Sequence, residues 1–295
     1  MSDYHISVLL QDTINYLEIK PREQYIDGTI GGGGHTLEIL KKGGRVLGID
    51  VDQDALQYIK NDNAFKDYLL NGNLVLANGN FKDINKIANE NRFKTVSGIL
   101  LDLGISSHHV DQAHRGFSFQ KDGPLDMRMD TRLVVTAADL VNGLTKNELF
   151  ELFTRYGEER YARVIVTQII KYRKNEKIKS TKELAEIIKN VVPFKNDGIH
   201  PATKVFQALR ILVNDELNVL KETLPEDIKL LESKGRLAII SFHSLEDRIV
   251  KQSFLEFEST GLGKVITKKP IVPSTKEITI NSRSRSSKLR VFEKI

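Results

Sequence analysis

At 295 residues, 40% hydrophobic and 28% charged, the chain is long enough for one large domain carrying a smaller one and has the balance of a globular protein rather than a disordered or fibrous one. It contains no cysteine, which excludes disulfides, zinc–thiolate sites, cysteine-bound iron–sulfur clusters and covalent catalysis through a thiolate, the usual route to methylation at carbon 5 of a pyrimidine. The net charge of +5 hides a segregation: nine basic and three acidic residues between Arg155 and Lys182, nine and two between Lys264 and Ile295, and −8 over the remainder.

The start, Met1-Ser-Asp-Tyr-His, has neither a basic leader nor a long apolar core, and no apolar run approaches the roughly 20 residues of a membrane span. A cytoplasmic location without membrane contact is expected. Tyr25-Ile-Asp-Gly-Thr ends a short apolar strand and enters a glycine cluster, and Thr36 to Lys42 reads as a helix closed by Gly43-Gly44. Arg45–Asp50 reads as a buried strand, Asp52–Lys60 as a helix, Leu74–Asn78 as a third strand and Gly98–Asp102 as a fourth. Such alternation predicts a parallel sheet of βαβ units. From about His108 to Asn214 the pattern turns helical, with segments at Lys146–Tyr156, Tyr161–Arg173, Thr181–Val191 and one running from Pro201 to Leu224. A strong strand returns at Gly235–Phe242, then a helix at Leu245–Phe257 and two edge strands at Gly263–Thr267 and Lys288–Phe292. The predicted fold is α/β: one open Rossmann-like sheet domain, discontinuous over 1–107 and 215–295, with an all-helical substrate-recognition domain inserted at 108–214.

Asp27-Gly-Thr-Ile-Gly-Gly-Gly-Gly-His35 lies where a strand hands over to a helix, and Asp50 and Asp102 end two further strands. In a doubly wound sheet ligands bind at those carboxyl ends, so a glycine turn and three acids converge on one crevice. This order predicts a nucleotide-like cofactor. The turn departs from the dinucleotide fingerprint, because His35 stands where a small residue normally packs, and an acid just ahead of the glycines suits a cofactor with a positive amino group. A methyltransferase is therefore favoured over a dehydrogenase. The segregated basic charge suits a polyanionic partner, although solvated helix faces and a basic tail account for it equally well.

Several longer motifs occur together: His5-Ile-Ser-Val-Leu-Leu, the Asp27–His35 turn, Gly98-Ile-Leu-Leu-Asp-Leu-Gly-Ile-Ser-Ser, Arg115-Gly-Phe-Ser-Phe, Asp122-Gly-Pro-Leu-Asp-Met-Arg-Met-Asp, Tyr156-Gly-Glu-Glu-Arg, His200-Pro-Ala-Thr-Lys-Val-Phe-Gln-Ala-Leu-Arg and Ser241-Phe-His-Ser-Leu-Glu-Asp-Arg. In order and spacing they resemble the ribosomal RNA small subunit methyltransferase H family, bacterial cytosine-N4 enzymes, from His5 to the basic stretch after Arg283. The resemblance implies a class I S-adenosylmethionine-dependent methyltransferase fold and a 16S rRNA substrate within the small ribosomal subunit. It also implies cofactor contacts at Gly33, Gly34, His35, Asp50, Phe81, Asp102 and His109, the last standing where the family often has glutamine. No metal is implied, and the oligomeric state is left open.

For catalysis, Asp102 is the candidate by position, with a role as cofactor ligand or helix cap alone an equal alternative. His243 is more readily a structural histidine. His108, His109, Asp111 and His114 fit no standard metal spacing. Phe117 and Phe119 suit either stacking on an extruded base or pinning a loop, and Arg160, Arg163, Arg173 and Lys174 suit phosphate contacts or simple solvation.

Overall fold

The computed structural model describes residues 7–105, 110–193 and 200–295. By its contacts the chain divides into two compact units, one made of the residues up to Gly104 together with Leu217–Ile295, the other of Ile105–Glu216.

The first unit is built on short apolar runs: β1 (Gln24–Asp27), β2 (Arg45–Asp50), β3 (Leu74–Asn78), β4 (Val96–Asp102) and β5 (Leu231–Ser241). They pair in parallel in the order β3-β2-β1-β4-β5. Because strand side chains alternate between faces, Tyr25, Leu100, Ala238 and Ile240 enter one apolar cluster while Ile26, Ile99, Leu101 and Ile239 enter another. A strand buried on both faces must be apolar nearly throughout, which is what makes these runs legible. The chain reaches successive parallel strands through α1 (Leu10–Leu17), α2 (Gly34–Lys41), α3 (Gln53–Asn61), α4 (Lys66–Leu70) and α5 (Ile84–Glu90).

The second unit holds α6 (Ala137–Gly143), α7 (Lys146–Arg155), α8 (Ala162–Arg173), α9 (Thr181–Lys189) and α10 (Thr203–Asn214). Three of these helices open with a capping box, in which a hydroxyl and an acid three residues on satisfy each other's backbone N–H: Thr136 with Asp139, Thr145 with Glu148 and Ser180 with Glu183. Phe153, Ile165, Ile169, Leu184 and Leu209 form the centre of its core.

The single helix expected over Pro201–Leu224 is two. Asp215 adopts φ 52°, a left-handed conformation that ends α10, and α11 (Glu216–Leu230) then runs past Pro225. Pro201 is not in the first turn, since Ala202 is the N-cap. The first unit is completed by α12 (Ser244–Ser259), β6 (Gly263–Val265), α13 (Thr275–Ile280) and β7 (Lys288–Lys294). Two edge strands are predicted from the sequence there, but only β6 is one: β7 lies antiparallel between β5 and β6. Leu289 and Val291 are fully buried in one face cluster and Phe292 in the other, so β7 is part of the covered interior of the sheet. The seven-stranded order β3-β2-β1-β4-β5-β7-β6 with a reversed β7 is the class I methyltransferase sheet that the resemblance implies. Among the described residues no helix is long and apolar enough to cross a membrane.

Candidate cofactor site

Strand order reverses at β1, which has β2 on one side and β4 on the other, and the carboxyl ends of these three strands carry Asp27, Asp50 and Asp102. Past Asp27 the backbone stays in the sheet for one more bond, Gly28 N donating to Leu100 O at 2.9 Å. Thr29 Oγ1 then accepts from Asp102 N at 2.6 Å, stapling the turn to the end of β4. Gly33 caps α2 with φ 75°, and a Cβ there would stand 2.6 Å from Phe65 Cζ. At Gly34 the constraint is close approach: a Cβ would lie 2.0 Å from Ser7 Oγ, so the segment before α1 is laid directly on the turn.

Asp50 ties the turn to the next corner. Its Oδ2 accepts from Gly31 N at 2.9 Å and its Oδ1 from Asp52 N at 2.9 Å, while Asp52 caps α3. A carboxylate oxygen can accept more than one hydrogen bond, the chemistry that a ribose hydroxyl pair requires. Phe81 begins the 3₁₀ turn after β3, and its Cβ is 3.4 Å from a Cβ built at Gly28, so the ends of β3 and β1 meet.

Asp27 is buried, accepting from Thr36 Oγ1 at 2.7 Å and Thr29 N at 3.3 Å. Burial pushes its carboxyl up to about 6, against the lowering effect of those two bonds, and the charge of Asp50 adds to the rise. Asp102 is pushed well above the usual carboxylate range by burial first and then by the charges of Asp27 and Glu246. Its Oδ1 is buried and has no hydrogen-bond partner among the described residues. Its Oδ2 stands 3.9 Å from His35 Nδ1, too far for a hydrogen bond. His35 Nε2 lies 3.0 Å from Val8 O, which can only accept, so Nε2 carries the proton and the ring presents its other nitrogen toward Asp102.

The structure thus brings together Gly33, Gly34, His35, Asp50, Phe81 and Asp102 at one strand-end crevice. His109, like His108, lies outside the described residues. His243 is a helix cap: its Nδ1 accepts from Glu246 N at 3.4 Å, and Glu246 Oε2 accepts from Phe242 N and His243 N at 2.8 and 3.3 Å. In the helical unit, Phe117 is buried, and Phe119 stacks on His200 at 4.3 Å with its edge against Phe206. Arg173 is not a free phosphate contact, because its guanidinium donates to Val141 O and Leu144 O at 2.6 Å each, satisfying carbonyls at the end of α6. Arg160, Arg163 and Lys174 are exposed. Sequence reasoning singled out Thr29 and the Ser7–Leu9 segment only as parts of longer motifs, without a role in the site, and it read Thr36 only as the start of a helix. Thr29 and Thr36 are ordinary turn and helix residues, and the Ser7–Leu9 segment is brought to the turn only by tertiary structure.

A crevice with two raised carboxyls and a carboxylate oxygen that has no partner among the described residues suits a ligand that carries positive charge and hydrogen-bond donors. S-adenosylmethionine, with a sulfonium and an ammonium, has that chemistry. Residues 2–295 match the model of the MraW methylase family. Among similar proteins, one named ribosomal RNA small subunit methyltransferase H from Clostridium botulinum (strain Loch Maree, type A3) is 46% identical over 99% of this chain and 99% of its own. One of the same name from the Kyoto strain (type A2) is 45% identical with the same coverage.

Proposed function

The chain belongs to the MraW methylase family, and from that we propose that it transfers a methyl group from S-adenosylmethionine to the exocyclic N4 of a cytidine in the decoding region of 16S rRNA, presented within the small ribosomal subunit. The observation that carries the cofactor reading is the convergence of Asp27, Asp50 and Asp102 on the glycine turn, with Asp102 Oδ1 buried and without a hydrogen-bond partner among the described residues.

In this reading Gly33, Gly34 and His35 line the turn, Asp50 accepts from the ribose hydroxyls, Phe81 and Asp102 flank the cofactor, and the family resemblance adds His109 as a further cofactor contact. Bound S-adenosylmethionine would supply an electrophilic methyl on a sulfonium. Asp27 and Asp102 oppose its positive charge, and that charge would draw both carboxyls back toward ionisation.

The N4 amine is a weak nucleophile because its lone pair is delocalised into the ring. The enzyme's contribution is alignment and an acceptor for the amine hydrogens, and no covalent intermediate with the protein is required. Asp102 is the group assigned to receive the proton released after transfer, since a carboxyl raised above its ordinary range holds a proton more readily. The inserted helical segment, expected over 108–214, is assigned to substrate recognition, with Arg160, Arg163 and Lys174 toward phosphates.

The test is methyl transfer from labelled S-adenosylmethionine to small ribosomal subunits from cells lacking the endogenous enzyme, followed by nucleoside analysis. N4-methylcytidine in the digest is the expected result. Label on a different nucleoside would overturn the target, and absence of label despite cofactor binding would overturn catalysis on this substrate.

A further inference from the structure

The segment laid over the glycine turn is held from a distant part of the chain. Leu9 N donates to Glu277 Oε1 at 2.7 Å, a bond between residues 268 apart in sequence. Leu9 is buried and sits at φ 51°, a conformation costly for a leucine, and is the N-cap of α1 without a side-chain cap of its own. Glu277 is in turn fixed: α13 is capped by Ser274, whose Oγ accepts from Glu277 N at 3.2 Å, and Asn281 N donates to Glu277 O at 2.7 Å. Between Lys264 and Lys288 there are seven basic residues and this single acid. Its carboxylate is committed to a backbone N–H on the far side of the sequence.

On the other side of that bond lie the contacts that reach the site. Ser7 Oγ abuts Gly34, and Val8 O accepts from His35 Nε2 at 3.0 Å, which sets the tautomer that His35 turns toward Asp102. We propose that Glu277 is a positioning residue for the cofactor site: by holding Leu9 in its left-handed conformation it seats Ser7 and Val8 on the glycine turn and fixes the His35 ring. This rests on the methyltransferase reading of the same site. An acceptor in that place is what the proposal requires, and a negative charge there is secondary. The two requirements are separable by substitution.

S-adenosylhomocysteine binding is measured by calorimetry on the full chain for the parent, Glu277→Gln, Glu277→Asp and Glu277→Ala. Glu277→Gln keeps an amide oxygen at the same reach and is expected within about threefold of the parent. Glu277→Ala loses a charge-assisted bond to backbone and is expected to weaken binding about tenfold or more. Glu277→Asp keeps the charge but withdraws it by one methylene, and is expected to fall with Ala rather than with Gln. Nitrogen NMR of the His35 ring supplies a second readout, with the Nε2-protonated form dominant in the parent and in Glu277→Gln and mixed with the other tautomer in Glu277→Asp and Glu277→Ala. If Glu277→Ala does not fold, the comparison of Asp with Gln decides. Equal affinity and an unchanged His35 tautomer in folded Glu277→Asp would overturn the inference. A parent that binds no S-adenosylhomocysteine would instead overturn the cofactor reading itself.

Discussion

Replacing Asp27 by Asn isolates what the buried acid costs and what it is for. The carboxyl is buried at the end of β1 and pushed up to about 6 from an ordinary 3.8, and that gap corresponds to about 3 kcal/mol. The sign follows from which state holds the proton. Below pH 3.8 both folded and unfolded chains are protonated at this site, and nothing is lost. Between 3.8 and about 6 the unfolded chain gives up its proton while the folded chain keeps it, so stability falls as pH rises, by about 1.4 kcal/mol per pH unit. Above 6 the penalty is complete. Asn carries no charge, and its amide can still accept from Thr29 N and donate to Thr36 Oγ1, the two partners of Asp27. Chemical denaturation should therefore find Asp27→Asn near the parent at pH 3.5 and about 3 kcal/mol more stable at pH 7. Calorimetry at pH 7 should find S-adenosylmethionine bound more weakly by the variant, because a charge opposing the cofactor has gone. A stability difference that does not change between pH 3.5 and 7 would refute the argument.

Asp227 in α11 is fully buried with neither carboxyl oxygen partnered among the described residues, and burial raises it well above its ordinary range. By the same sign, Asp227→Asn should gain stability over the parent as pH rises above about 4, and denaturation curves giving a constant difference from pH 4 to 8 would count against it. Arg173→Ala should lose about 1–3 kcal/mol of stability by orphaning the α6 carbonyls, with RNA affinity falling no more than stability explains. Charge reversal at Arg163 and Lys174 should do the opposite: an unchanged melting temperature, weaker RNA binding and a shallower salt dependence, with equal slopes for variant and parent as the contrary result. Asp50→Ala should weaken cofactor binding by removing a ribose acceptor and loosening Gly31, and unchanged affinity in a folded variant would contradict its assignment.

The sheet was legible where a strand is an unbroken apolar run: Arg45–Asp50, buried in the middle of the sheet, and Leu74–Asn78, a partly buried edge strand, both have the predicted bounds, and each acid that closes a run marks a carboxyl end. Where a strand begins on polar residues its start is not legible. The first four residues of β5, Leu231-Glu-Ser-Lys, are mostly polar and were not distinguishable from a loop. The break at Asp215 was hidden because apolar residues recur on both sides of it, at Ile211 and Val213 and then Val219 and Leu220, and helical period carries no information about one residue's φ. At the site, side chains that face the crevice from strand ends could be read from position. Groups acting through tertiary contact could not: Ser7, Val8 and Glu277 obey no local pattern that points to the glycine turn. Arg173 shows the converse, a basic residue in a basic stretch whose partners are carbonyls rather than solvent.

The place of β7 bears on the order in which the molecule can be assembled. β6 precedes β7 in the chain yet reaches the sheet only through it, and β7 must insert beside β5 with Leu237 opposite Phe292. During synthesis the parallel strands can gather as they emerge, but Leu289, Val291 and Phe292 are still absent, and the flank of β5 stays unpaired. Pairings across such sequence separations are slow to form, and an open strand edge beside apolar surface invites association with other chains. A nascent chain of this protein is therefore most exposed to aggregation in the interval between the emergence of β5 and that of β7. Truncations that remove β7 should yield insoluble material rather than a smaller folded protein.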